Sequence, residues 1–401
     1  MRNGILHLAD LHIGASPEPG LDDDYRSRLF QARESLLLSV ANWIAEGKSP
    51  IGLVLIAGDL FDRHDPPPSS VSAIRAALTQ IAQSIPVITL PGNHDEYSYA
   101  QCAYRRGDWP GVLVTSPEPH VVWKGQLGDK LCAVVSAVYQ AGKVSPGQKL
   151  ELPSRKAILG PNDSDGLLIG LFHGTLADHF PAAFVEKERC FWLSHKEAAD
   201  RGYDYLALGH FHSRREWRIG PCLAHYPGPP LGSRVNDPGS GYFSLVRIVG
   251  GNPQVEAVDV GPILGCRWDF YETEVQPEQS HQDIADQIVA HYGQVKGSEN
   301  IVIFPAVKLK GYTTRSDLVK RVQDDLQARG MRCCVVTEGL EQVVPANVES
   351  LAAEESLVGH FVRQWKSWRE KDQTDCDDAM AVLYEGLLAL GWHQMGHGER
   401  L

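Results

Sequence analysis

The chain has 401 residues, 43% of them hydrophobic, with 50 acidic against 38 basic residues and a formal net charge of −12. That length suits two domains, or one large domain with an appendage, and the apolar share is enough for a full core. The acidic balance argues against a free-standing protein that holds nucleic acid by bulk charge, though not against an enzyme whose metals, basic loops or partner supply the positive charge.

Ile5-Leu6-His7-Leu8-Ala9 reads as a buried strand and runs into Asp10-Leu11-His12. His7 lies inside that strand and is expected to be packed. A loop with Pro17, Pro19 and Gly20 precedes a helix from about Asp22 to Glu46, with Leu29, Ala32, Leu36, Val40 and Ile44 at helical spacing. Leu53-Val54-Leu55-Ile56-Ala57 is a second apolar strand, followed by Gly58-Asp59-Leu60-Phe61-Asp62. Gly58 permits a sharp turn, so Asp59 stands at the strand's C-terminal end, where open α/β sheets build their sites. His64 reads as a surface-loop residue. Pro66-Pro67-Pro68 stops any continuation, and Ser69 or Ser70 is placed to cap a helix to about Gln83. Val87-Ile88-Thr89-Leu90 then runs through Pro91-Gly92 into Asn93-His94-Asp95.

Residues 96–110 carry Tyr97, Tyr99, Tyr104, Arg105, Arg106 and Trp109. Structurally they read as an amphipathic helix over the sheet; functionally, aromatic and basic side chains together stack bases and bind phosphates. Short strands are expected near 112–114, 120–124 and 131–138. The stretch 141–166 reads as a long loop, basic at Lys143, Lys149, Arg155 and Lys156. Leu167-Leu168-Ile169-Gly170-Leu171-Phe172 runs into His173-Gly174, and Tyr205-Leu206-Ala207-Leu208 runs through Gly209 into His210-Phe211-His212. Arg214, Arg215 and Arg218 follow, then Ala224-His225-Tyr226-Pro227-Gly228. Further β-runs at 242–249 and 255–260, without intervening helices, imply a second sheet packed on the first.

Near residue 262 the pattern changes. Strands at 269–275, 301–309 and 331–337 alternate with helices from Ser280 to about Tyr292 and from Ser316 to about Arg329, a small α+β module. Two helices follow from about Ser350. The first carries Leu351, Leu357, Val358, Phe361, Trp365 and Trp368; the second carries Met380, Leu383, Leu387, Leu388 and Leu390, after a break at Gln373-Thr374-Asp375. Two helices cannot bury two such faces alone, so a partner interface is expected there. The expected domains are 1–262, 263–345 and 346–401.

No run approaches membrane-span length, and Met1-Arg2-Asn3-Gly4 leads into a strand without a signal peptide. The eight cysteines form no Cys-x-x-Cys pair, which fits a reducing cytoplasm without structural disulfides. The five strand ends deliver Asp, Asn and His. Oxygen and imidazole ligands suit two divalent ions such as Mn, Fe or Zn, and the absence of a nearby cysteine argues against a thiolate site.

In order and type, Asp10-x-His12, Gly58-Asp59, Gly92-Asn93-His94, His173 and Gly209-His210-x-His212 resemble the calcineurin-like metallophosphoesterase motifs. Three stretches resemble the SbcD group within that superfamily, including the YhaO-type DNA repair exonucleases. They are His7-Leu8-Ala9-Asp10-Leu11-His12-Ile13-Gly14, Gly58-Asp59-Leu60-Phe61-Asp62 with its following prolines, and Tyr203-Asp204-Tyr205-Leu206-Ala207-Leu208-Gly209-His210-Phe211-His212. The resemblance covers roughly residues 1–245. It implies an α+β fold, a four-layer α/β/β/α metallophosphoesterase sandwich, with a small α+β capping domain that binds DNA and C-terminal helices.

The resemblance also assigns roles. Asp10, His12, Asp59 and His212 would hold one metal, and Asp59, Asn93, His173 and His210 the other, with Asp59 bridging. Two divalent ions are implied, with Mn²⁺ expected. Such ions share a water or hydroxide that attacks phosphorus in line. His94 would contact the phosphate and stabilise or protonate the leaving oxygen, and Asp95 could orient it. Asp62 is expected outside the ligand set. Arg105, Arg106, Arg214 and Arg215 are the candidate substrate contacts.

The leading expectation is a Mn-dependent DNA nuclease, a 3′→5′ exonuclease with possible endonuclease action in repair or defence. Its partners would be DNA, an SbcC-like or YhaN-like coiled-coil ATPase docked on the C-terminal helices, and a second copy in a homodimer. It would be cytoplasmic, with no membrane partner. The alternative is a phosphatase or phosphodiesterase acting on a small molecule or phosphoprotein, because this fold hosts many substrates. Asp62-Arg63 partly matches the protein-phosphatase pattern Gly-Asp-x-x-Asp-Arg-Gly, but His64 replaces the last glycine. A non-catalytic scaffold is disfavoured by the complete ligand set.

Overall fold

The computed structural model describes residues 2–390, except 17–22, 48, 162–164, 182–188, 233–240, 277–278, 295–300, 314–316, 332, 338, 343–345, 373–381, 384–385 and 388–389. It divides into two units, residues 1–269 with 297–304 and residues 270–296 with 305–401.

The first unit is built on fourteen described strands. In chain order they are β1 (Gly4–Leu8), β2 (Ile51–Ala57), β3 (Val87–Leu90), β4 (Val112–Leu113), β5 (His120–Leu127), β6 (Lys130–Ser136), β7 (Gln148–Lys149), β8 (Leu167–Leu176), β9 (Phe191–Leu193), β10 (Tyr205–Gly209), β11 (Arg215–Ile219), β12 (Cys222–Tyr226), β13 (Tyr242–Val249) and β14 (Asn252–Asp259). One sheet has the order β14-β13-β1-β2-β3-β4. In it β1 to β4 run parallel, and β13 and β14 are antiparallel additions beside β1. The other sheet has the path β11-β12-β10-β8-β6-β5, with β7 and β9 attached through β8. Its central strands β12, β10, β8 and β6 are parallel, while β11 and β5 pair antiparallel at the edges.

Two-residue alternation sorts the side chains between the layers. In β8, Leu167, Ile169 and Leu171 face a core shared with Ile5, Leu53, Leu55 and Ile88 of the first sheet. Leu168 and Phe172 point the other way, into a cluster with Leu206, Leu208, Leu193 and Ala198. Each such side chain, fully buried, is worth about 1.5–3 kcal/mol, so the two clusters hold the sandwich. The helix Asp23–Ala45 buries Leu29, Leu36, Leu37, Val40 and Ile44, and Asp23 and Asp24 complement the dipole at its start. The result is a mixed α/β sandwich of two sheets with flanking helices, the expected fold class.

Several local expectations change. The helix Pro68–Ala82 starts on its proline, and no side chain caps it, so Ser69 and Ser70 lie inside the first turn. No amphipathic helix forms over 96–110; only a 3₁₀ turn at Ala103–Arg105 does. Asp95 and Glu96, both fully buried, draw that segment inward as an irregular loop. The basic stretch near 149–156 is largely paired. Lys149 meets Glu151 and Glu197, and Arg155 bonds Asp204 and the carbonyls of Gly166 and Gly202.

The second unit holds most of β15 (Cys266–Val275) and of its neighbour β16 (Val302–Thr313), which pairs in parallel with β17 (Cys334–Val336) and β18 (Leu340–Gln342). Helices His281–Gln294 and Leu318–Ala328 pack there through Ile284, Ile288, Val322 and Leu326 against Val275, Val307 and Leu309. The first C-terminal helix is in fact two, Ala346–Ala353 and Leu357–Asp372. Ser356 Oγ accepts from Gly359 N at 3.0 Å and starts the second one. Val348, Leu351, Val362 and Trp365 cluster with Leu383 and Leu387, while Leu357 and Trp368 remain exposed. Gln373-Thr374-Asp375, Met380 and Leu388 lie outside the described residues, as do Pro17, Pro19 and Gly20.

Candidate metal centre

Because β1, β2 and β3 are parallel, their C-terminal ends open on one edge, and the loops beyond them zip together. Asp10 N, His12 N and Ile13 N donate to the carbonyls of Gly58, Asp59 and Leu60 at 2.9–3.1 Å. Across the sandwich, β8 and β10 bring Gly209 level with His173. His173 lies inside β8 rather than at its end, since the strand continues to Leu176.

All seven expected ligand residues converge. His12 Nε2 and His212 Nε2 are 3.1 Å apart. Asn93 Oδ1 lies 2.9 Å from His173 Nε2 and 3.1 Å from His210 Nδ1. Asp59 Oδ2 faces His173 Nε2 at 3.4 Å and His12 Nε2 at 3.8 Å. Asp10 Oδ1 accepts from His210 N at 3.0 Å, so it ties the β1 and β10 ends together. Among the described residues, three groups present ligand atoms within 4.8 Å of one another: Asp10, His12 and His212; Asp10, Asp59 and His173; and His12, Asp59 and His94.

The backbone is bent to achieve this. Asp10, His12, Asp59 and His210 have φ of 55°, 46°, 49° and 110°, a region that costs an L-residue about 1–3 kcal/mol. Two glycines make room. A Cβ on Gly92 would overlap the Asp59 carboxylate, and one on Gly58 would overlap the His173 ring.

The electrostatics follow from packing acids and imidazoles in a buried space. Burial pushes the Asp10 carboxyl up to about 6, against the pull of His173 and His212. Burial would also raise Asp59, but His173, His12 and His94 together hold it below the ordinary carboxylate range. His173 is raised to about 9: burial opposes its charge, and Asp59 and Asp10 outweigh burial. Burial lowers His210 to about 3, and His173 adds to the effect. The residues fit divalent cations. Among the described residues, Asp10 Oδ2 is buried with no hydrogen-bond partner. Two imidazole nitrogens face each other at 3.1 Å, and the donor set is oxygen and nitrogen throughout.

His94 stands beside this cluster, half-buried, its ring edge-on to His12 at 4.7 Å. Its backbone N donates to Asp59 Oδ1 at 2.9 Å, and its Nδ1 donates to the Asp62 carbonyl at 2.9 Å. That carbonyl only accepts, so the proton belongs on Nδ1 and Nε2 is left for another group. Asp62 Oδ1 also lies 3.3 Å from His12 Nδ1. Asp62 therefore orients the His94 ring and lies beside that of His12, whereas the expected pairing of Asp95 with His94 does not form. Asp95 accepts from Gly92 N at 2.7 Å, from Phe61 N at 3.0 Å and from the Tyr104 hydroxyl. It fixes the loop rather than the ring.

The four candidate arginines divide. Arg106 is spent on Asp65 and the carbonyls of Pro66 and Gln101, and Arg214 is half-buried on Ser244. Arg105 and Arg215 are exposed, over the rings of Tyr97 and Phe180 at 4.1 and 5.4 Å. His64 is not simply a surface residue but is stacked on Tyr99. His7 is packed as expected, with Nδ1 2.8 Å from the Tyr205 hydroxyl. One neighbour was invisible in the sequence: Cys190 Sγ lies 3.9 Å from His210 Nε2. No motif around Cys190 signals that contact.

The profile of the "Calcineurin-like phosphoesterase" family matches residues 4–214. The "Uncharacterized metallophosphoesterase YhaO" of Bacillus subtilis is 24% identical over 63% of this chain and 59% of its own length. "DNA double-strand break repair protein Mre11" of Aeropyrum pernix is 28% identical over 64% of this chain and 60% of its length. The protein of the same name from Sulfurisphaera tokodaii is 26% identical over 56% of this chain and 53% of its length. The chain thus spans somewhat over half of each relative it matches. The profile runs from the first residue of β1 past the last histidine of the cluster, and on that match the chain belongs to the calcineurin-like phosphoesterase family.

Proposed function

We propose that the protein is a Mn²⁺-dependent DNA nuclease, acting as a 3′→5′ exonuclease and as an endonuclease. The observation that carries the chemistry is the position of His94, held by Asp59 and Asp62 beside the oxygen and imidazole cluster. Asp10, His12, Asp59 and His212 would hold one ion, and Asp59, Asn93, His173 and His210 the other. Bound there, two divalent cations would supply an activated water and neutralise charge on the phosphate. Asp59 faces both sets, and Asn93 contributes a neutral oxygen, so the site keeps a positive balance for an anionic diester. His94 donates Nδ1–H to the Asp62 carbonyl and turns Nε2 toward the phosphate; as the imidazolium it carries a second proton on Nε2, which passes to the leaving oxygen and leaves the neutral Nδ1–H ring.

DNA as the substrate is supported by the names of the two archaeal relatives. Of the candidate arginines, Arg105 and Arg215 are available to a strand, each over an aromatic ring. A coiled-coil ATPase of SbcC or YhaN type would dock on the C-terminal helices, where Leu357 and Trp368 are exposed, and two copies would act on one duplex. The net charge of −12 favours a second reading, a phosphodiesterase for small molecules.

End-labelled linear DNA with Mn²⁺ separates them, with bis(p-nitrophenyl) phosphate run in parallel. DNA cleavage is expected, and His94→Ala should lower it by about 10²–10⁴-fold while metal stays bound. Turnover of the small diester by a wild type that leaves DNA intact, alone and with its ATPase partner, would sink the nuclease reading.

A further inference from the structure

Glu96 lies two residues beyond His94, and its side chain is fully buried. Its carboxylate takes donors from three segments: Ser98 Oγ in its own loop, Ala141 N at 2.6 Å after β6, and Arg189 Nη2 at 2.5 Å before β9. Arg189 Nη2 also donates to the Tyr99 hydroxyl at 3.2 Å, and the Tyr99 ring stacks on His64 at 4.0 Å and 17°. The next residue, Cys190, lies 3.9 Å from His210 Nε2. The guanidinium is therefore anchored on the loop that carries His94, and the residue after it lies against His210. Half of the Arg189 side chain is exposed. Among the described residues, Nε and Nη1 meet no acceptor.

We propose that Arg189 forms a second phosphate subsite beside the metal centre, taking the phosphate next to the scissile one in a polynucleotide. This rests on the reading of the site as a nuclease. A guanidinium carries five N–H donors in one plane; Glu96 and Tyr99 take those of Nη2, and among the described residues Nε and Nη1 are left, each able to donate to a phosphate oxygen. The two bonds on Nη2 set the direction of the group before any substrate arrives, which lowers the ordering cost of binding. The buried carboxylate is already committed to three donors, so its charge does not compete for the remaining N–H groups. A small diester has no second phosphate to place there. A polynucleotide does, and the subsite would let the enzyme tell them apart although both present the same scissile group.

The test is competition against bis(p-nitrophenyl) phosphate hydrolysis in Mn²⁺. The probes are the dinucleotide dTpdT and the same compound with a terminal 5′- or 3′-phosphate. The wild type should bind one of the phosphorylated forms more tightly than dTpdT, and Arg189→Ala should reduce that preference by about 10- to 100-fold. Arg189→Lys should keep part of it, because charge remains and the fixed direction of the planar group is lost. Arg189→Ala also strands the buried Glu96 carboxylate. The double variant Arg189→Gln with Glu96→Gln is therefore measured beside it and should show the same loss of preference. If binding of all three probes weakens equally, Arg189 is a brace between loops and the proposal is overturned. An unchanged preference in the variants overturns it as well. End-labelled DNA is run separately: intact DNA alongside an Arg189-dependent preference would count against the nuclease reading and not against the subsite.

Discussion

Asp59 is the residue on which the centre turns. It is buried, reaches toward His12 and His173, and receives the His94 amide. Asp59→Asn keeps the shape and removes the charge that holds His173 protonated. It is expected to weaken Mn²⁺ binding at least 10-fold, the scale seen when a partner of a ligand is lost, and calorimetric titration reads it directly. The same pair predicts a pH dependence. The metal-free His173 titrates near 9, so at neutral pH an incoming cation must displace its proton. Asp10 titrates near 6 and becomes a second competitor below that. Apparent Mn²⁺ affinity should therefore rise from pH 6 to 9, with proton release at pH 7.5 seen as a binding enthalpy that varies with the ionisation heat of the buffer. An affinity flat across that window would mean that His173 is neutral without metal.

At the scale of elements, the loop after β3 shows how a short stretch serves two ends. Gly92 admits the Asp59 carboxylate, and Asp95, three residues on, pins Gly92 and Phe61 together. Gly92→Ala places a methyl where Asp59 stands. An overpacked site of this kind costs about 1–3 kcal/mol. The expected outcome is loss of metal binding with far-UV circular dichroism unchanged, since the sandwich cores lie elsewhere. Full retention of Mn²⁺ affinity would show that the loop can move away. In the same way, the segment 96–110 has helix-like apolar spacing, yet two buried carboxylates fold it into a loop. Local periodicity loses there to long-range bonds, with Tyr104 reaching Asp95 and Arg189 reaching Glu96.

For the molecule as a whole, five segments separated by up to two hundred residues meet in one place, and four of their residues are held in a disfavoured backbone region. Cations that bind only the folded state offset this cost. At a hundred times its dissociation constant a ligand adds about 2.7 kcal/mol. Scanning calorimetry should show the first unit's transition lowered by chelation and restored by Mn²⁺, and a transition indifferent to both would argue against a site formed only on folding. Among the described residues no helix is long and apolar enough to cross a membrane.

The sequence by itself was enough to expect the apolar strands, their glycine-marked ends and seven candidate ligand residues. Those signals are local: an apolar run, a turn, then a polar ligand. It was also enough to expect a second sheet and a separate α+β module. Only the tertiary structure decided which polar groups are spent and which remain. Asp95 is used by the loop, Arg106 by Asp65 and Arg214 by Ser244, while Asp62 turns out to orient His94. The approach of Cys190 to His210 and of Arg189 to Glu96 was equally hidden. The physical reason is that a hydrogen bond needs its partner within about 3 Å. In this fold most partners at the site come from distant segments, so their pairing exists only once the two sheets have closed on each other.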